Sequence, residues 1–200
     1  ISKRIRDLSE DKNVPVLAFV EDVAASGGYW LACAADEIFA SKASIIGSIG
    51  VVSSGFGFDK AIKKIGVDRR LYTSGENKAI LDPFLPENKE DIKRLKDIQK
   101  ELHNQFISFV KSRRGSKITK KDKDLFTGAF WSGEKSLELG LIDDYGEMKS
   151  VLKQRFGENI KIREFAPKKK LFGFSNLLSG AIDILISKIE ERISFKNFGL

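Results

Sequence analysis

The sequence predicts an α/β fold with a mainly parallel sheet and flanking helices. Three observations predict it. Short apolar runs with β-branched residues, as at Val14–Val20 and Glu37–Ser41, alternate with stretches of helical periodicity. The stretch Val14 to Ala35 (VPVLAFVEDVAASGGYWLACAA) passes from a buried strand through a tight turn into a helix of small residues. Gly and Pro punctuate the chain between such units, with no internal repeat and no low-complexity tract.

Taken in order, residues 1 to 10 read as the end of a helix, with Ile1, Ile5 and Leu8 on one face, and Ser9 to Asn13 as a polar turn. The organising strand, turn and helix follow, then a second strand at Glu37–Ser41. Residues 45 to 58 mix β-branched residues with glycines and predict a strand with tight turns. No Gly-Lys-Ser/Thr follows those glycines, and Gly55-Phe56-Gly57 lacks the third glycine of a dinucleotide loop. Phe58 to Ile65 predicts a short helix ending at Gly66, and Val67 to Thr73 another strand. Ser74 to Pro86 is a loop containing Lys78. The longest helix spans Pro86 to Arg114, with Pro86 in its first turn and an apolar stripe at Ile92, Leu95, Ile98, Leu102, Phe106, Phe109 and Val110. After a basic segment at Lys117–Lys123, Ser132 reads as an N-cap and Lys135–Leu139 as a short helix stopped by Gly140. Glu147–Phe156 predicts a helix, Ile160–Phe165 a strand, and 167 to 176 a basic, glycine-containing linker. Leu177–Ile193 carries a clean helical stripe that needs a cover, from the domain itself, a second subunit or a lipid surface, with a protein partner ranked first.

A chain of 200 residues suits one domain with a sizeable core. Hydrophobic residues at 42% and charged residues at 32% are those of a globular chain. No run of about 18 apolar residues predicts a spanning helix. The single cysteine, Cys33, excludes an internal disulfide and a Cys-rich metal site, and it reads as a small packed residue. His103 is the only histidine, so a histidine-based triad and a zinc site are poorly supplied. The formal charge of +7 comes from lysines spread along the chain with no nucleic-acid motif, and Lys168–Lys170 is read as solvated surface ahead of a membrane-facing patch.

Ser26 falls where the strand's turn becomes a helix. The free N–H groups of a first helical turn, Gly27 first, point toward an anion formed beside it, which is half of an oxyanion hole. The alternative is a plain helix cap, a role serine often takes. A serine nucleophile needs a base, and with histidine nearly absent lysine is the substitute. A lysine works as a base only when neutral, so its reference pKa of about 10.4 must fall by several units through burial. Lys78, followed by Ala79, Ile80 and Leu81, is the local candidate, with a solvated loop lysine as the other reading.

Three stretches, ASGGYWLACAADEIFASKASIIGSIGV, YTSGENKAILDPF and FTGAFWSGEKSLELGLIDDYG, run in order over roughly residues 10 to 150. Together they resemble the S49 peptidase family, the group of signal peptide peptidase A and SohB. The resemblance implies a crotonase/Clp protease-like fold. It implies a serine–lysine dyad: Ser26 in ASGGYW as nucleophile and Lys78 in SGENK as general base. Ser48 in GSIG would orient and solvate the lysine, and the Gly27 amide would be one oxyanion donor. No metal or other cofactor is expected.

The expected domains are a catalytic domain at 1–166, the linker at 167–176 and the amphipathic helix at 177–200. The family also has an upstream glycine-containing strand and loop, which supplies another oxyanion donor, and a membrane anchor. The sequence begins at Ile1 in helix-like residues, and it is read as a fragment lacking that N-terminal part. The activity expected is hydrolysis of peptide bonds in signal peptides or other membrane-associated peptides. A homo-oligomeric ring is expected, in which serine and lysine can come from neighbouring subunits. So is association with the bacterial inner membrane, with a cytoplasmic location as the alternative; nucleic acid is not expected as a partner. The competing expectations are an inactive scaffold that keeps the fold and a crotonase-like enzyme acting on an acyl-CoA thioester.

Overall fold

The apolar run after the first helix folds as two short strands, because Glu21 and Asp22 break it and turn the chain toward a second sheet. In the structure, a computed structural model describing residues 1–165, the order is α1 (Ser2–Lys12), β1 (Leu17–Val20), β2 (Val23–Ala25), α2 (Gly27–Ala32), β3 (Glu37–Ala40), β4 (Ile45–Gly47), α3 (Asp59–Lys64), α4 (Lys89–Arg114), α5 (Asp122–Leu125), β5 (Phe130–Ser132), α6 (Gly133–Glu138), β6 (Asp144–Tyr145) and α7 (Met148–Phe156). The chain divides into two compact units, Ile1–Met148 and a second that opens at Lys149.

The first unit holds two three-stranded sheets. In one, β1, β3 and β6 are parallel, with Leu17 opposite Glu37 and Phe39 opposite Asp144. In the other, β2 and β4 are parallel while β5 runs antiparallel to β4. The expected α/β class with a mainly parallel sheet therefore holds, with the sheet divided in two. Their shared core includes Tyr29, Cys33, Ile38, Ile46, Ile49, Phe106, Val110, Leu141 and Ile142.

Helix α4 clamps this core. Asn88 caps it, its side chain accepting from the Glu90 amide at 2.8 Å. Phe106 and Val110 enter the core, and Trp30 of α2 stacks on Phe106 and Phe109 at ring separations of 4.6 and 6.0 Å. At the far end Arg114 is fully buried. It donates to the Gly140 carbonyl and pairs with Asp143 at 2.6 Å. Asp143 also accepts from the Ile38 amide and pairs with Lys117. Burial draws the Asp143 carboxyl upward, but Arg114, Lys117 and the Ile38 amide outweigh it and hold the group below its ordinary value.

Several expected elements change. Val67–Thr73 is not a strand: Val67, Leu71 and Tyr72 are exposed, no ladder partner lies beside them among the described residues, and Arg69 instead pairs with Asp82 at 2.9 Å. Alternation without a partner strand leaves the backbone N–H and C=O groups to water. Ile160–Phe165, in the second unit, is likewise irregular, with no ladder to another described residue. Strands β2, β5 and β6 and helix α5 are additions of two to four residues. Pro86 precedes the cap of α4 instead of lying in its first turn. Glu37–Ala40, α3 and the Ser132 cap of α6 fall where expected. The linker at 167–176 and the helix expected over 177–200 lie outside the described residues.

Candidate active site

The β2–α2 junction is sharp because Ser26 takes φ 51° and ψ −121°, a positive φ that a side chain disfavours. A strained non-glycine residue at a strand-to-helix turn costs on the order of 1–3 kcal/mol and persists only where its surroundings enforce it. Here they do. The Ser26 amide donates to the Gly47 carbonyl at 2.8 Å, continuing the β2–β4 ladder, and the Ser26 carbonyl accepts the first helical bond from the Trp30 amide at 3.0 Å.

The hydroxyl of Ser26 does not cap α2, so the plain-cap alternative does not describe this residue. True caps occur elsewhere in the chain, at Asn88 and at Ser132, whose hydroxyl accepts from the Lys135 amide at 3.2 Å. Ser26, Gly27 and Gly28 are all exposed. Since the helical ladder begins at the Trp30 amide, the Gly27 and Gly28 amides have no partner within it. A Cβ at either glycine would meet nothing within 4 Å, so the space beside these amides is open.

Beneath the serine lies the β4 turn. Gly47 has φ 108°, and a Cβ there would sit 2.9 Å from the Trp131 ring, so only glycine fits. Ser48 follows with φ 50°, and its amide donates to the Ala129 carbonyl at 2.8 Å. Across this turn Gly50 approaches Gly128, where a Cβ on Gly50 would lie 3.0 Å from the Gly128 Cα. The half-buried His103 of α4 places Nε2 2.9 Å from the Ile49 carbonyl oxygen.

Ser26, Gly27 and Ser48 are therefore brought to one place, by strand register and the Ser26–Gly47 bond. Lys78 is not joined to them. It is exposed in the turn after Ser74, and its amide reaches the Gly75 carbonyl at 3.3 Å. No hydrogen bond or ion pair links its side chain to another described residue. Cys33 is buried behind Tyr29, and burial pushes its thiol up to about 12, which fits packing and not nucleophilic work. Neither β5 nor the His103–Ile49 bond is expected from the sequence. The run FTGAFWSG holds the only available signal for β5, a glycine followed by aromatic residues before a cap.

The Peptidase family S49 profile matches residues 9–158, and the chain belongs to this family. Its fold class is accordingly the crotonase/Clp protease type. Among curated relatives, "Probable protease SohB" of Buchnera aphidicola subsp. Acyrthosiphon pisum is 34% identical over 161 residues, covering 80% of this chain and 47% of that protein. A Brucella abortus protein named "Na(+)/H(+) antiporter NhaA" is 53% identical over 173 residues, 86% of this chain but 23% of its own length. The chain thus spans half or less of these relatives. A solved enoyl-CoA hydratase/isomerase from Marinobacter aquaeolei is 16% identical with a TM-score of 0.39, covering 94% of this chain and 59% of that one. That likeness is too loose to bear weight. Among the described residues no helix is long and apolar enough to cross a membrane.

Proposed function

We propose that the protein is a serine peptidase in which Ser26 is the nucleophile, Lys78 the general base and the Gly27 amide an oxyanion donor. The observation that carries this reading is Ser26 itself: strained at φ 51°, exposed, its hydroxyl uncommitted to the helix it begins. Family membership supports the same chemistry. In the proposed mechanism neutral Lys78 accepts the Ser26 hydroxyl proton as Oγ attacks a peptide carbonyl. The Gly27 N–H donates to the oxyanion. The lysine then passes the proton to the leaving amine, and water hydrolyses the acyl-enzyme. Ser48, next in the chain to the glycine whose carbonyl holds Ser26, would orient the lysine amine.

Lys78 must reach Ser26, and in this reading it does so from a neighbouring copy. The segment from Val51 to Asn88 that carries it folds largely on itself. Phe58 stacks on Phe84 at 5.7 Å and Arg69 pairs with Asp82, yet Phe56 is 80% and Tyr72 90% exposed. Aromatic surface of this kind is suited to burial against a second copy in a ring. Substrates would be peptides, with signal peptides and other membrane-associated segments as the expected class. The working site would be at the bacterial inner membrane or, as the alternative, in the cytoplasm.

Labelling by a fluorophosphonate tests the core of the proposal. The assembled full-length protein is expected to label at one serine, Ser26→Ala to abolish the label, and Lys78→Ala to slow it by about a hundredfold or more. An assembled protein that does not label returns the chain to the scaffold reading.

A further inference from the structure

We propose that His103 is a positioning residue for Ser26, holding the β4 turn in place through the Ile49 carbonyl. The inference rests on the serine-peptidase reading and deepens it. Its starting point is an oddity of α4. The face directed at the core carries Phe106 and Val110, and one turn earlier that face holds a histidine. The histidine's Nε2 lies 2.9 Å from the Ile49 oxygen. A carbonyl only accepts, so Nε2 carries the hydrogen whether the ring is neutral or charged.

The carbonyl it holds belongs to the turn that supports the nucleophile. Gly47 and Ser48 take positive φ angles in succession, 108° and 50°, of which the second is one that a side chain disfavours. The Ser26 amide hangs from the Gly47 carbonyl at 2.8 Å. The turn is tied on one side by the Ser48 amide to the Ala129 carbonyl at 2.8 Å. On the other side His103 holds the Ile49 carbonyl, beside the close approach of Gly50 to Gly128 and the Gly50 amide's bond to the Ser48 carbonyl at 2.9 Å. The same helix grips α2 one and two turns later, where Phe106 and Phe109 stack on Trp30. α4 thus holds both sides of the strained serine: the helix after it through Trp30, and the turn beneath it through His103. Without the ring N–H, the Ile49 carbonyl loses its partner, and the turn, still anchored by the buried Ile49 side chain and the Ser48–Ala129 bond, gains freedom that reaches the Gly47 carbonyl and Ser26.

The test compares His103→Gln, whose amide N–H reaches about as far as Nε2, with His103→Leu and the shorter His103→Asn in the native full-length protein. Three quantities are read: fluorophosphonate labelling rate, melting temperature, and amide hydrogen exchange at Ser26 and Ser48. His103→Leu and His103→Asn are expected to slow labelling of folded protein about threefold to tenfold, the range one lost hydrogen bond gives. Exchange at both amides should accelerate by a similar factor. His103→Gln is expected to stay within about twofold of wild type in both. If labelling and exchange hold at the wild-type values in Leu and Asn while only the melting temperature falls, or if Gln fails alongside them, the positioning role is overturned. His103→Asn serves should the Leu variant not fold. Wild-type protein that never labels overturns the peptidase reading instead, and the tether is then decided by the exchange rates, which need no activity.

Discussion

Gly47 joins two constraints that a single added carbon would violate. Its φ of 108° is available to glycine at little cost, and a Cβ would press into Trp131 at 2.9 Å. Its carbonyl also carries the Ser26 amide. Gly47→Ala is therefore expected to lose about 2 kcal/mol of stability, a fall in Tm of roughly 4–8 °C. It should also slow fluorophosphonate labelling of the protein that remains folded; thermal unfolding and labelling rates measured together check both. A substitution that left the two unchanged would show that the turn does not depend on glycine. Cys33 illustrates the opposite case, a reactive atom kept out of use. With its thiol pushed up to about 12 by burial, it is expected to react with iodoacetamide at pH 8 about a thousandfold or more slower than an exposed thiol, and at the ordinary rate once denaturant opens the core. Fast alkylation of native protein would contradict the packing of Tyr29 over Cys33.

The C-terminal end of α4 is bound to the sheet by charge. Arg114 is buried, and it faces Asp143 on the segment leading into β6. Removing one member of a buried pair leaves the other uncompensated, so Asp143→Ala is expected to cost about 3 kcal/mol or more, with Tm lower by roughly 6–12 °C. The pH dependence has a definite sign. Asp143 is held below its ordinary value when folded, so its contribution is complete above the unfolded carboxylate value of about 3.9 and is lost as pH falls through the lower, folded value. Asp36 acts in the same direction. Burial raises it, but the Val16 amide, Arg6 and Arg113 outweigh that and lower it. Melting curves from pH 7 to pH 2 should therefore fall steeply below about pH 4 in the wild type and less steeply in Asp143→Ala; parallel curves would remove Asp143 from the acid response. The sequence showed α4 because its stripe repeats over many turns, and it showed the Ser26 turn because Ser-Gly-Gly interrupts an apolar run. It did not show β2, β5 or β6, since two or three residues hold no measurable period and pair only because tertiary contacts bring them together. Val67–Thr73 misled in the other direction: alternation was present, and among the described residues the partner strand was not. The family motifs put Ser48 and Lys78 forward as candidates, but motif order does not place a loop in space. The His103–Ile49 bond was hidden because the partner is a backbone carbonyl 54 residues away, which no side-chain pattern encodes.

At the scale of the whole molecule, the exposure of Lys78, with no hydrogen bond from its side chain to Ser26, becomes an expectation about assembly. The fixed half of the proposed site, Ser26 with Gly27 and Ser48, sits on the core sheets and is held by register. The other half sits on the exposed segment between β4 and α4, whose apolar side chains Val52, Phe56 and Tyr72 face solvent. If the lysine acts within its own chain, no mixture of damaged copies can work. If it acts on a neighbour around a ring, two different inactive copies can repair one another. Ser26→Ala keeps Lys78, and Lys78→Ala keeps Ser26. Co-assembled in equal amounts, they are expected to regain about a quarter of wild-type labelling, because a random ring sets an intact serine beside an intact lysine at about one site in four. Labelling should appear only after the copies are mixed under conditions that let subunits exchange, and it should fall on the Lys78→Ala chains, separable by mass. Tyr72→Asp, placing a charge on the exposed aromatic surface, should lower both the assembled fraction and the recovered signal. A mixture that stays silent while its subunits demonstrably exchange would confine the dyad to one chain and require the Lys78 segment to fold back onto its own serine when substrate binds.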